Sequence, residues 1–232
     1  MLPIPAYIQS SGIAIRDVPY EWDEWRVKDY YMYVESKQFA RLDLLTNKAN
    51  TGLTIAAGEW ICHRFSLLSQ DPAPLQFLEA AWAGIIHPAY CIYTETEDDE
   101  WRGPVREPLA VMIAITNDAL FCLRDDPHVA TRACWMYNLA RHVLPSTGAF
   151  EAWFLACIAR LEQHHTKAIE HVTDETDLFD DFPGQGAPVP RQAFDPGFDY
   201  LPSDAPRLLD AFLRSHAEDT NPYLRPTAEL PT

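Results

Sequence analysis

The chain has 232 residues, of which 34 are acidic and 18 are basic, so its formal charge is −16. Hydrophobic residues make up 47% of the sequence and aromatic residues 12%, a composition that supports a packed core and excludes a disordered chain. An acidic surface repels phosphate groups, which excludes sequence-independent binding to nucleic acid and docking on anionic membranes. A basic protein partner, a cation or solubility alone remains open.

The N-terminal residues and the cysteines predict a cytoplasmic location. Residues 1–7 lack the positive region, the sustained apolar run and the cleavage site of a signal peptide, and no stretch of the sequence reaches the length of a transmembrane helix. The cysteines are odd in number and form no C-x-x-C pair, which argues against a disulfide framework and a zinc site. Each is interpreted as a small buried hydrophobe. They are Cys62, Cys91, Cys122, Cys134 and Cys157.

The first predicted helix begins at Tyr20. Apolar residues recur at three-to-four spacing from there to Leu45, which predicts one long helix with a buried stripe. The same stretch contains four further aromatic residues, Trp22, Trp25, Tyr33 and Phe39. They make the helix apolar on more than one side, and such a helix is expected at the centre of the fold. The alternative is that the aromatic excess forms an interface, since Trp and Tyr are frequent binding hot spots.

Two helical hairpins are predicted next, at residues 51–90 and 106–144. Each contains an Asp-Pro step, Asp71-Pro72 in the first and Asp126-Pro127 in the second. Proline at the first position of a helix, with aspartate as its cap, marks a helix start. The two segments therefore predict stacked repeats that bury each other's apolar faces. Because few residues are identical at this offset, an accidental similarity stays the alternative.

A further helix is predicted from about Thr147 to about Thr173, after which the composition changes. Residues 174–204 contain eight acidic side chains, five prolines and one basic residue, Arg191, a pattern that cannot continue a helix. Its regularly spaced aromatic and leucine residues predict a strap across the helical body, followed by a short helix at about 205–216. The sequence thus predicts an all-α bundle of about six to seven helices, with a helical domain at 1–173 and an acidic strap at 174–232 packed on it.

Metal and catalytic sites have weak support. A di-iron bundle needs two Glu-x-x-His pairs and two further glutamates, and the sequence has one such pair, Glu162 and His165. Glu59 and His63 lie one turn apart, where a hydrogen-bonded pair on the helix surface is the ordinary interpretation. No Gly-x-Ser-x-Gly motif or phosphate-binding glycine loop occurs. We therefore expect no metal, no cofactor and no catalytic residue.

The acidic segments are the candidate functional surface. Five of the six residues from 95 to 100 are acidic and Trp101 follows them directly, in a segment that its turn residues predict to be a loop. Carboxylates beside an aromatic ring are suited to steering and holding a basic surface, although a solvated loop has the same composition. The candidate partner-binding residues are Glu95, Glu97, Asp98, Asp99, Glu100, Trp101, Asp177, Asp180 and Asp181.

These features favour a non-enzymatic acidic binding protein. The specific hypothesis is an immunity protein that neutralises a basic, nuclease-like bacterial toxin by occluding its active cleft. An adaptor or chaperone for a secreted protein is the first alternative, and it would bind through apolar surfaces instead. A helical-bundle metalloenzyme centred on Glu162, His165, Glu59 and His63 is the second. The expected partner is a basic protein, either a toxin or a secreted effector.

Overall fold

The computed structural model describes residues 2–96, 99–122, 129–168, 183–216 and 221–225. Within these ranges the regular structure is helical, with two isolated bridges and no strand, which confirms the predicted all-α fold. None of the helices described there has both the length and the apolar character needed to cross a lipid bilayer. The α-helices are α1 (Ala6–Gln9), α2 (Val27–Tyr31), α3 (Ser36–Leu42), α4 (Asn47–Arg64), α5 (Ala73–Gly84), α6 (Gly103–Phe121), α7 (Ala130–Val143), α8 (Gly148–His164) and α9 (Ala205–Ser215).

The central element is α4, which packs against α5, α6, α7 and α8. Nearly all of its residues are buried, so it has no polar face and no amphipathic stripe. Two glycines allow its neighbours to approach closely. A Cβ at Gly52 would lie 2.7 Å from the ring of Phe194, and one at Gly58 would lie 3.2 Å from Leu78 and Met112. The two glycines therefore permit the close approach of α5, α6 and the segment around Phe194.

The predicted long helix from Tyr20 to Leu45 is wrong. The chain forms α2 and α3 instead, with residues 32–35 outside either helix, and α2 contains no buried residue. Aromatic and β-branched residues crowd this stretch and have low helix propensity. The amide of Asn138 also donates to the carbonyl oxygens of Tyr31 and Tyr33, at 3.1 and 2.8 Å. This contact satisfies carbonyl groups at the end of α2 and just after it, and so stabilises the break.

The helix α8 ends at His164 rather than near Thr173. His165 leaves the helical conformation, with φ −135°, and its carbonyl accepts the backbone N–H of Thr46 at 2.8 Å. Thr46 also caps α4, where its side chain accepts the N–H of Ala49. The backbone of His165 thus pairs with Thr46, just before α4, and this pairing takes the place of a further turn of α8.

The described part of the C-terminal region is held by two buried carboxylates. Glu59 on α4 binds Arg191, which begins a 3₁₀ turn at Arg191–Phe194. Glu79 on α5 binds His216, at 3.1 Å, and the amide of Asn221, at 2.9 Å. Both carboxylates are almost fully buried, so each contact fixes a separate part of the segment 183–225 to the central helices. Other 3₁₀ turns occur at Pro88–Tyr90, Pro183–Gln185 and Pro202–Asp204.

Candidate partner-binding groove

Two adjoining cavities lie along the outer side of α6, and together they are called the acidic groove here. Their volumes are about 420 Å³ and 510 Å³, and both are lined by Thr96 and Ala114. One wall is the loop that precedes α6, and the second wall of the smaller cavity is the N-terminal segment around Trp25. The groove is thus built from two parts of the chain that are about 70 residues apart. Their proximity could not be predicted from the sequence alone.

The N-terminal segment is fastened to the start of α6 by two polar contacts. The indole N–H of Trp22 donates to Glu107 Oε2 at 2.6 Å, and the hydroxyl of Tyr20 donates to the carbonyl oxygen of Pro104. These contacts position the residues that follow, Glu24 and Trp25, at the mouth of the smaller cavity. The side chain of Trp25 is 96% exposed there. Large aromatic side chains are usually at least partly buried in a monomer, so the exposure of Trp25 makes this mouth a candidate contact surface.

Carboxylates outnumber cations along the groove. Glu24 and Glu107 line the smaller cavity, and Glu95 and Asp118 line the larger one. Arg102 is the one cation that lines either cavity in the described structure, and it is paired with Asp99 at 3.2 Å. Asp118 is in turn paired with Arg132 at 2.6 Å. The groove therefore keeps a net negative lining that also includes aromatic rings.

Trp101 is half-buried and its ring already holds one cation. The guanidinium of Arg106 lies 4.5 Å from the centre of the indole and is anchored by Asp71 at 3.0 Å. A cation over an aromatic face is attracted by the ring quadrupole. The same indole also lines the smaller cavity, so the ring contacts a charged group within the fold while it remains part of the groove.

The larger cavity carries a polar group that the described residues do not satisfy. Asn117 is 3% exposed and lines this cavity. Its amide N–H donates to the carbonyl oxygen of Thr94, whereas its Oδ1 has no hydrogen-bond partner within the described residues. Most buried polar atoms have a hydrogen-bond partner, so this oxygen is open to accept a hydrogen bond.

The predicted site residues are brought only partly together. Glu95 and Trp101 line the groove, and the exposed Asp99 and Glu100 lie directly before Trp101. Five predicted residues lie outside the described ranges: Glu97, Asp98, Asp177, Asp180 and Asp181.

Sequence reasoning missed the other half of the groove. The core interpretation is wrong for Trp25 and also for Tyr33, which is 43% exposed. The signal was present in the run Tyr20-Glu-Trp-Asp-Glu-Trp25, which interleaves acidic and aromatic residues, whereas the loop at 95–101 has one aromatic residue after its acids. The further groove residues that the sequence did not single out are Glu24, Glu107, Asn117 and Asp118.

Three of the four residues of the metalloenzyme alternative, Glu162, His165 and Glu59, have other contacts. Glu162 forms a bidentate pair with Arg41, both bonds at 2.7 Å, and these hydrogen bonds lower the pKa of Glu162. His165 stacks on the ring of Tyr200. Glu59 is buried, so the predicted surface pair with His63 is wrong. In the ranges that the structure describes, no three His, Cys, Asp or Glu residues are grouped as metal ligands.

Four of the five cysteines are buried and Cys122 is half-buried. Burial raises the pKa of Cys91, Cys134 and Cys157 to about 12, and it raises that of Cys62 as well. Such thiols stay protonated and unreactive at neutral pH. Cys122 differs, since it lines the larger cavity and its thiol donates to Asp118 Oδ1 at 3.2 Å.

Comparison with protein-family models, curated proteins and solved structures finds no match for this chain.

Proposed function

We propose that this chain is a non-enzymatic binding protein that holds a basic protein partner in the acidic groove. The observation that carries the proposal is the 96% exposure of Trp25 at the mouth of a cavity lined by Glu24 and Glu107. Tryptophan is among the residues that contribute most to binding when a partner covers them. Surrounding carboxylates give the same surface its preference for a basic partner and speed the encounter.

The specific candidate is an immunity protein that acts in the cytoplasm on a nuclease-like toxin. A nuclease binds the phosphates of its substrate with a basic cleft, and clustered carboxylates are able to occupy that cleft in their place. Glu95, Asp99 and Glu100 are exposed beside the groove and extend its acidic surface. In this proposal the toxin is inhibited by occlusion, with no chemical step.

The adaptor or chaperone alternative differs in the forces it uses. It would bind through exposed apolar side chains such as Leu44 and Leu155, which are 58% and 50% exposed. Burial of apolar surface responds weakly to moderate salt, whereas contacts between exposed charges are screened. The salt dependence of partner binding therefore separates the two functions.

The experiment is affinity capture from the native cells with wild-type protein, with Trp25→Ala and with Leu155→Ala as the matched control. We expect wild type and Leu155→Ala to capture a stoichiometric basic protein at low salt, and about 0.5 M salt to release it. Trp25→Ala should capture much less. Failure to capture a basic protein, or equal capture by Trp25→Ala, contradicts the proposal.

The immunity function is tested with the purified partner. We expect the partner to cleave nucleic acid and one equivalent of this protein to abolish the cleavage. A captured partner that retains full activity in the complex would contradict occlusion, although it would still be a partner of the groove.

A further inference from the structure

The smaller cavity of the acidic groove combines two indoles and two carboxylates. Trp25, Trp101, Glu24 and Glu107 all line this space of about 420 Å³. Aromatic faces attract cations, and they do so more strongly when the cation is partly removed from water. Neither the tryptophans nor the carboxylates alone would specify a ligand, but together they are complementary to an organic cation.

The charged groups that line the cavity are arranged to accept a cation. The bond from the Trp22 indole to Oε2 orients the carboxylate of Glu107 and leaves its Oε1 for another donor. Glu24 is exposed at the mouth. The cation that lines the cavity, Arg102, is paired with Asp99, which offsets its repulsion of an incoming positive group. The contact between Arg106 and the Trp101 ring is an example, within the same chain, of a guanidinium held by this indole.

We propose that this cavity receives one arginine side chain of the basic partner, stacked on Trp25 and Trp101 and hydrogen-bonded to Glu107. This inference rests on the proposed function and names the group that the groove recognises. A guanidinium is planar and stacks on aromatic faces. Its five N–H donors allow it to form paired hydrogen bonds with carboxylate oxygens. A lysine ammonium is more strongly hydrated and lacks that planar face, so arginine fits this lining better.

The test is a titration of protein carrying ¹⁵N-labelled tryptophan with the acetyl amides of arginine, lysine and citrulline. Arginine amide should shift the indole N–H signals of Trp25 and Trp101 in a saturable way, and lysine amide should shift them more weakly. Citrulline amide has the same shape without the charge and should leave them in place. Trp153 is the internal control, since its buried indole donates to the carbonyl of Phe194. Trp25→Phe and Trp101→Phe assign the two signals.

Two variants link the shift to the carboxylate. Glu107→Gln keeps an acceptor for Trp22 but removes the charge, and it should weaken binding of arginine amide by about tenfold, the usual effect of losing a charged hydrogen bond. Asp199→Asn removes a charge from an exposed residue that lines neither cavity and should leave the affinity within about twofold, since exposed charges are largely screened. Equal shifts with citrulline amide, shifts that avoid Trp25 and Trp101, or equal weakening by both variants would overturn the proposal.

The same data separate this inference from the proposed function. If a basic partner is captured in a salt-sensitive way but arginine amide does not bind the two indoles, the arginine site is wrong and the binding function stands. If arginine amide binds as expected and no basic protein is captured, the binding function is wrong and the cation site stands.

Discussion

Glu59 and Arg191 form a bidentate ion pair in the core, although 132 positions separate them in the sequence. The two bonds are 2.7 Å from Nε to Oε1 and 2.9 Å from Nη2 to Oε2. The indole of Trp82 donates to the same Oε1 at 2.8 Å. Glu59 is 2% exposed, so its carboxylate takes hydrogen bonds from these donors in place of water. The pair joins the 3₁₀ turn at Arg191–Phe194 to the central helix.

Removing one member of this pair should strongly destabilise the protein. Arg191→Met leaves the carboxylate of Glu59 buried without its counter-ion, which costs about 3–5 kcal/mol. Urea unfolding measures the loss. The double variant Glu59→Gln with Arg191→Met should recover much of it, because neither position then carries a charge. Equal instability of the single and double variants would contradict this account.

The pair between Arg41 and Glu162 is the matched control. It is also bidentate, with both bonds at 2.7 Å, but its side chains are 39% and 30% exposed. Solvent screens such a pair, and its removal usually costs about 0–1 kcal/mol. Arg41→Met should therefore unfold close to the wild-type urea concentration, unlike Arg191→Met.

Two glycines with the same backbone conformation test how tightly residues 183–204 are packed. Gly12 and Gly186 have φ +71° and +73°, a region that costs other residues about 1–2 kcal/mol. A Cβ at Gly12 would meet nothing within 4 Å, whereas one at Gly186 would collide with the side chain of Thr46. Gly186→Ala should thus lose about 1–3 kcal/mol more stability than Gly12→Ala. Equal losses in thermal unfolding would show that the contact with Thr46 is loose.

The all-α class could be predicted from the sequence because the helical spacing of apolar residues is a local pattern and strand signals are scarce. The break after α2 was not, since it depends on the amide of Asn138, which lies 107 positions from Tyr31. The role of Glu59 was hidden for a related reason. A helix that is buried on all sides has no stripe to reveal which of its polar residues lie inside, so Glu59 resembled a surface residue.

The stability of the protein should fall as the pH drops below about 6.5. Burial and the neighbouring His164 lower the pKa of His165 to about 4, below its unfolded value of about 6.5. The unfolded state then binds more protons between these values, so protonation favours unfolding. Protonation of His165 should therefore lower the free energy of unfolding by about 2 kcal/mol between pH 7 and pH 5. The loss should level off below pH 4.

Urea unfolding at pH 7 and pH 5 measures this effect. His165→Gln should reduce the difference between the two pH values by about 2 kcal/mol, whereas His164→Gln, at an exposed position, should keep most of it. An unchanged pH dependence in His165→Gln would contradict the assignment.

The cysteines should divide into one reactive thiol and four protected ones. A thiol reagent at pH 8 should label Cys122 in the native protein and all five cysteines after unfolding, because burial keeps the other four protonated. Cys122→Ser should abolish the native reaction. Labelling of more than one thiol in the folded protein would contradict the burial of Cys62, Cys91, Cys134 or Cys157.

The candidate site was only half visible in the sequence. The acidic loop before Trp101 has a local composition that indicates a surface, and its residues Glu95 and Trp101 line the groove, while their role in binding stays a prediction. Trp25 was assigned to the core because large aromatic residues are usually buried. Its exposure follows from the contacts of Tyr20 and Trp22 with the start of α6, which fix the segment on the surface and are not encoded in any short motif.

The most direct test of the binding function is the kinetics of association between the purified protein and its captured partner. For wild type, the association rate constant should fall at least tenfold between about 50 and 300 mM salt, as for electrostatically steered complexes. Trp25→Ala should raise the dissociation rate by about thirtyfold, the effect of losing a hot spot, and Leu155→Ala should leave it unchanged. Association that is independent of salt, together with wild-type dissociation from Trp25→Ala, would contradict the account.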